Sequence, residues 1–394
     1  MNCKKSSVER YYSMTSPFIP YGRQIITDDD IAAVTATMGS GWLTTGPKVE
    51  EFEQAMAAFC KAGQGVAVSS GTAALHAAMA ALGIGPGDEV IVPAITFVAT
   101  ANSVVYQGAT PVFADVQTGT LLIDPKDVSR RITPRTKAII SVDYAGQPCE
   151  YDTLRKIAHE HNLYFVADSC HALGAKYKGK MVGSLADLTI FSFHPLKHIT
   201  TGEGGMVLTD DTEFADRMRR FRNHGINADH RQRDKAATHF YDMETLGWNY
   251  RLSDIQCALG ISQLEKLPQW LLRREKIAEH YESLFADYPE VTPLTRTAAH
   301  FHAWHLFVVR LDSAIDRDRV FTEMRNHGIG VNVHYRPVYL NSFYLQKGYG
   351  LGLCPAAEEA YEHILSLPMH AGLNDDEVER VTSGLIEAVS IPIH

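Results

Sequence analysis

The strongest constraint on the fold is an alternation that repeats along the first half of the chain. Short runs rich in Val, Ile and Ala recur as VAVSS (66–70), EVIVPA (89–94), TPVFADV (110–116), KAIISVDYAG (137–146), LYFVADS (163–169) and DLTIFSF (187–193), with GMVLTD at 205–210. Helical segments such as TAALHAAMAALG, FVATANSVVYQG and LRKIAHEHN separate several of them. Strands that are apolar throughout are buried on both faces, and intervening helices provide the crossovers that parallel strands require. The chain therefore reads as an α/β protein built from βαβ units around a mainly parallel sheet.

The pattern changes near residue 245. The stretch 253–285 predicts a long helix broken near Pro268, because proline lacks the N–H that an interior turn needs. HAWHLFVVRL, RDRVFTEMRNHG, GVNVHYRP and NDDEVERVTSGLIEAV then predict strand, helix, strand and helix. This divides the chain into an N-terminal extension (1–17), a large domain (18–264) and a smaller C-terminal α/β domain (265–394). A length of 394 residues, 45% of them hydrophobic, suffices for such a pair.

Charge and cysteine usage exclude some functions. A net charge of -9 argues against a nucleic-acid partner, which requires a basic surface, although a local basic pocket for a small anion remains compatible. The six cysteines (Cys3, Cys60, Cys149, Cys170, Cys257 and Cys354) form no CxxC pair, which suits reduced thiols in a cytoplasmic protein. The opening MNCKKSSVERYYSM lacks the apolar core of a signal peptide. No apolar run approaches the roughly 18 residues of a membrane span. The expectation is a soluble, cytoplasmic protein without a membrane partner.

Three segments carry candidate chemistry. In SSGTAALH (69–76) a strand runs into Gly71, Thr72 and a helix, whose free N–H groups suit either an anion or a simple Ser/Thr cap. In LYFVADSCHALGA (163–175), Asp168 ends an apolar strand, where ligands bind in open α/β sheets. Its carboxylate there either meets a cation, such as a protonated ring nitrogen, or caps the following segment. In FSFHPLKHITTGEGG (191–205), Lys197 follows the strand end at Ser192 and is either a lysine activated by burial or a solvated one. The histidines do not make a metal site. His194 and His198 lack an HExxH context, and only two of His300, His302 and His305 would share a strand face.

SGTAAL, PAITFVATANSV, DSCHALGA, SFHPLKHITTGEGG, GWNYRLSDIQCALG and HYRPVY occur in the order and spacing of a known family. On these motifs the chain resembles the DegT/DnrJ/EryC1/StrS sugar aminotransferases, over about nine tenths of its length from Ile19 onward. The resemblance implies a fold type I, pyridoxal 5'-phosphate (PLP)-dependent transferase with a seven-stranded sheet in the large domain. It implies that Lys197 holds PLP covalently, Asp168 pairs with its ring nitrogen and Phe97 stacks on the ring. His171 would lie beside the 3'-oxygen, and Gly71, Thr72 and Ser192 would cradle the phosphate. Asn249 would reach the phosphate from the second subunit of a homodimer. The wording of TTGPKVEEFE and VNVHYRPVY is similar to a subgroup that uses L-glutamate to aminate C4 of UDP-4-keto-6-deoxy-N-acetylhexosamines. That implies a nucleotide sugar near Thr44, Thr45, His334 and Tyr335, with Arg251 toward its diphosphate. The alternatives are a dTDP- or GDP-linked keto sugar, sugar 3-dehydration with histidine in place of the lysine, or a non-catalytic regulator. Lys197 stands at the lysine's place when counted back from GEGG, and Asp168 is present. An oxidoreductase is disfavoured because no GxGxxG turn follows the first strand.

Overall fold

The computed structural model describes residues 17–391, so the N-terminal extension as far as residue 16, with Cys3, lies outside the described residues. Seven strands form the main sheet: β1 (Gln64–Val68), β2 (Glu89–Pro93), β3 (Thr110–Ala114), β4 (Thr136–Val142), β5 (Tyr164–Asp168), β6 (Leu188–Ser192) and β7 (Gly205–Thr209). Their order is β1-β7-β6-β5-β4-β2-β3. All pairings from β6 through β5, β4 and β2 to β3 are parallel. β7 runs antiparallel to both of its neighbours, β1 and β6. The mainly parallel seven-stranded α/β sheet expected from sequence is present.

The strands of this sheet are nearly all fully buried, as expected where helices cover both faces. Helix α1 (Gly71–Ala81) follows β1 and α2 (Val98–Tyr106) follows β2. Ser70 caps α1, its side chain accepting from the Ala73 N–H. The glycine-rich return into β7 has a steric cause. A Cβ at Gly205 would lie 2.3 Å from the Ser70 carbonyl oxygen, so only glycine lets β7 pass the start of α1.

Helix α3 (Asp254–Phe285) is one continuous helix of 32 residues, and Pro268 does not break it as the sequence predicted. One lost backbone bond is outweighed by burial of Leu264, Leu267 and Leu271 on either side of the proline. Beyond α3, β8 (Val291–Pro293), β9 (Phe307–Leu311) and β10 (Ile364–Leu367) form an antiparallel sheet, covered by helices Arg317–Asn326 and Asp375–Ser390. The strand predicted in GVNVHYRP is reduced to a single bridge between Asn332 and Ser366, after which the chain leaves the sheet. β10 takes the place beside β9, and its four residues adjoin a helix (Pro355–His363), too short a run to read in advance.

The apolar residues form two clusters, and a cut after residue 264 does not separate them. Ile19 packs with the second cluster, alongside Ile277, Phe307 and Val381, where its N–H donates to the Gly328 carbonyl. Conversely, Tyr339 and Tyr344 pack on Phe113 of the large sheet. Chain segments therefore cross between the two halves and line the space between them.

Candidate active site

A cavity of about 670 Å³ opens at the C-terminal ends of the parallel strands. This is where the strand direction of an open α/β sheet leaves room for a ligand. Gly71, Thr72, Phe97, Asp168, His171, Ser192, Lys197, His334 and Tyr335 all line it. β5 delivers Asp168, β6 delivers Ser192 with Lys197 close behind, and the N-terminus of α1 supplies Gly71 and Thr72. A Cβ at Gly71 would sit 2.9 Å from Cβ of Ser192, so glycine keeps this corner open. Phe97 is the N-cap of α2 and remains 55% exposed, its ring 6.2 Å from that of Tyr335.

Asp168 is 5% exposed, and both of its hydrogen-bond donors are neutral. The Thr100 hydroxyl donates to Oδ2 at 2.7 Å, and the Cys170 N–H donates to Oδ1 at 3.3 Å. Thr96 stands 2.7 Å from Thr100. Because Thr100 spends its one proton on Asp168, Thr96 donates to Thr100 in turn. A buried carboxylate held by one hydroxyl and one backbone N–H, with no cation bonded to it, suits a protonated ring nitrogen as a partner. The reading of Asp168 as a helix cap does not apply, since a turn rather than a helix follows β5.

Burial pushes the Lys197 amine below the usual lysine range, with Cys170 and Asp168 opposing the shift. Nζ lies 3.5 Å from Nε2 of His305. The His305 ring is 4.3 Å from that of His171, whose Nε2 is 3.3 Å from the Tyr335 hydroxyl. Burial holds both imidazoles far below their ordinary value, and the Lys197 charge adds to the effect. His334 is held down to about 3 by the same two causes. These histidines are therefore neutral, and Nδ1 of His171 and Nδ1 of His305 are buried without a hydrogen-bond partner. His198 binds the Ala303 carbonyl through Nε2 at 2.9 Å and serves the frame.

Four predicted residues lie elsewhere. Thr45 and Arg251 line a separate cavity of about 270 Å³. Exposed Thr44 bridges to Ser253, and exposed Asn249 bridges to Asn223. The cause is local anchoring. The Asp254 carboxylate accepts from the N–H groups of Gly46 and Lys48 at 2.7 and 2.9 Å, tying this loop to the start of α3. Arg251 donates to the Asn223 side chain at 2.8 Å. Within one chain, then, Thr44, Thr45, Arg251 and Asn249 do not join the Lys197 cavity. His305, Thr96 and Thr100 do contribute, and sequence reasoning missed their roles. His305 had been weighed only with the HFHAWH histidines as a metal ligand, and PAITFVAT had supplied only Phe97.

A lysine and a carboxylate at adjoining strand ends, beside a glycine-opened helix N-terminus, define a fold type I PLP-dependent enzyme. The DegT/DnrJ/EryC1/StrS aminotransferase family model matches residues 24–386, and the chain belongs to that family. It is 41% identical over 379 residues to the spore coat polysaccharide biosynthesis protein SpsC of Bacillus subtilis (strain 168), covering 94% of this chain and 96% of SpsC. Among solved structures, the sugar aminotransferase Spr1654 of Streptococcus pneumoniae in its PMP form superposes with a TM-score of 0.90 at 34% identity, covering 94% of this chain and 99% of that one. Helicobacter pylori PseC, an aminotransferase involved in the biosynthesis of pseudoaminic acid, superposes with a TM-score of 0.88 at 34% identity over the same shares. The protein is thus a PLP-dependent aminotransferase.

Proposed function

We propose that the chain transfers the amino group of L-glutamate to C4 of a UDP-4-keto-6-deoxy-N-acetylhexosamine. The product is a UDP-4-amino-4,6-dideoxy sugar for a surface polysaccharide or glycan. The observation that carries the reading is the meeting of Lys197 and Asp168 in one cavity that His334 and Tyr335 also line. The choice of sugar is supported by the likeness to PseC and SpsC, whose names point to pseudoaminic acid and to spore coat polysaccharide.

PLP, when bound, supplies the carbonyl that carries the amino group and the ring that accepts an electron pair. Lys197 would hold it covalently, Asp168 would face its ring nitrogen, and Gly71, Thr72 and Ser192 would hold its phosphate. Phe97 and His171 would flank the ring. The lowered proton affinity of the Lys197 amine suits it to take a proton and return it within one turnover. His305, neutral and 3.5 Å away, would aim that amine without competing for the charge.

The reading includes a cytoplasmic homodimer with shared active sites. Phe240, Met243 and Leu246 are 68%, 61% and 79% exposed on a segment close in sequence to Asn249, and large exposed apolar groups of this kind mark an interface. In the dimer, Asn249 would serve the partner's cofactor phosphate, and Thr44, Thr45 and Arg251 would approach a substrate there.

The test is glutamate-dependent amination across UDP-, dTDP- and GDP-linked 4-keto sugars, with protein that is yellow with PLP and bleaches on adding glutamate. UDP-linked sugars should be strongly preferred. Equal rates with dTDP-linked sugars would overturn the UDP assignment, and protein that never bleaches would overturn the donor. Another 4-keto or 3-keto nucleotide sugar is the second reading. A non-catalytic regulator would have no need for both Lys197 and Asp168.

A further inference from the structure

Four formally charged side chains line the Lys197 cavity: Asp168, Lys197, Glu203 and Arg336. Two are carboxylates, which repel an anionic ligand. Lys197 is committed to the cofactor, and burial keeps His171, His305 and His334 neutral. Arg336 is the remaining cation. Among the described residues no carboxylate pairs with it and no side-chain hydrogen bond restrains it. Arg222, by contrast, pairs with Glu53, and Arg274 donates to the carbonyls of Trp304 and Met369. The position of Arg336 is nonetheless defined. Tyr335 before it reaches His171, and two residues on the Val338 N–H donates to the Ala94 carbonyl at the end of β2, at 2.9 Å.

Both reactants in the proposed reaction carry strong anions, a carboxylate in glutamate and a diphosphate in the nucleotide sugar. They occupy one cavity in turn. A guanidinium offers forked donors that match either anion in bidentate fashion. We propose that Arg336 binds the anionic group of each substrate in turn, glutamate's carboxylate in the first half-reaction and the sugar nucleotide's diphosphate in the second. This inference rests on the reaction proposed above.

The experiment uses full-length, PLP-loaded Arg336→Gln and Arg336→Lys enzymes. Bleaching of the yellow form by glutamate alone reads the first arm, and colour return on adding the keto sugar reads the second. In Arg336→Gln the half-saturating concentration of both substrates should rise about 10- to 100-fold, the effect of losing a charge-assisted hydrogen bond. Limiting rates should stay within about threefold, and Arg336→Lys should recover part of the affinity. Retained yellow colour in both variants reports an intact cofactor site. Unchanged half-saturation, a rise confined to one substrate, or a loss of rate with affinity intact would overturn the proposal. If wild-type enzyme bleaches with glutamate but refuses every UDP-linked sugar, the sugar assignment fails alone. The second arm is then run with whichever keto nucleotide sugar the enzyme aminates.

Discussion

The two walls of the Lys197 cavity are built on opposite electrostatic principles. The wall at the strand ends holds two charged groups, Asp168 and Lys197, at the ends of adjoining strands or just beyond them. It keeps Asp168 ready with a chain of hydroxyls, Thr96 to Thr100 to the carboxylate. The second group of lining residues, His305, His334 and Tyr335, consists of imidazoles and a phenol that burial keeps uncharged, with Arg336 the one charge beside them. On the proposed reading, one wall reacts, and the other shapes, orients and excludes water. The difference teaches where a substitution will be felt: in the rate on the sheet side, and in affinity or stability on the far side.

The sharpest way to break this comparison is Lys197→Arg. A guanidinium keeps the positive charge but cannot make the covalent link, so the variant should lack the yellow absorbance and lose at least about a thousandfold in turnover. An absorbance spectrum and the amination assay check both, and normal turnover would remove the sheet wall from the chemistry. A gentler probe of the same wall is Thr100→Val. It leaves Asp168 without its shortest donor, which should lower kcat about fivefold, or about 1 kcal/mol of barrier, while the yellow form persists. An unchanged kcat would reduce the hydroxyl chain to packing.

Buried histidines, His334 of the cavity among them, predict a pH dependence of stability. Burial lowers His302 to about 3, His334 to about 3 and His370 to about 4. Between roughly pH 4 and 6.5 the unfolded chain therefore binds protons that the folded chain refuses, so stability is full above about 6.5 and falls as pH drops. Asp143, which burial pushes up to about 6, works the other way, its contribution being lost as pH rises through that value. Three histidines outnumber one carboxylate, and the net slope should be positive. Each histidine adds at most about 1.4 kcal/mol per pH unit. Urea unfolding at pH 5 and 6.5 measures it, and His302→Gln should flatten the slope. A slope of opposite sign would mean these imidazoles are charged in the folded protein.

Much of the sheet wall was legible because its signals are local. Asp168, Ser192 and Lys197 each end or follow an apolar run, and strand direction then places them together. Gly71 and Thr72 were legible for the same reason, a strand passing directly into a helix. The donors that serve these groups were not. Thr100 is 68 residues from Asp168 and His305 is 108 from Lys197, distances at which no periodicity carries information. Thr45 and Arg251 fell outside the cavity because Asp254 ties the loop after Thr45 to the start of α3, and Arg251 is held by the Asn223 side chain.

By itself the sequence determined the α/β class and the parallel core, and it brought out Asp168 and Lys197 as candidates, since apolar periodicity and strand-end chemistry are written residue by residue. Only the tertiary structure decided which histidine approaches the lysine, which hydroxyls hold the aspartate, and that the helix continues through Pro268. Those outcomes depend on burial and on contacts between distant segments, where packing outweighs local preference.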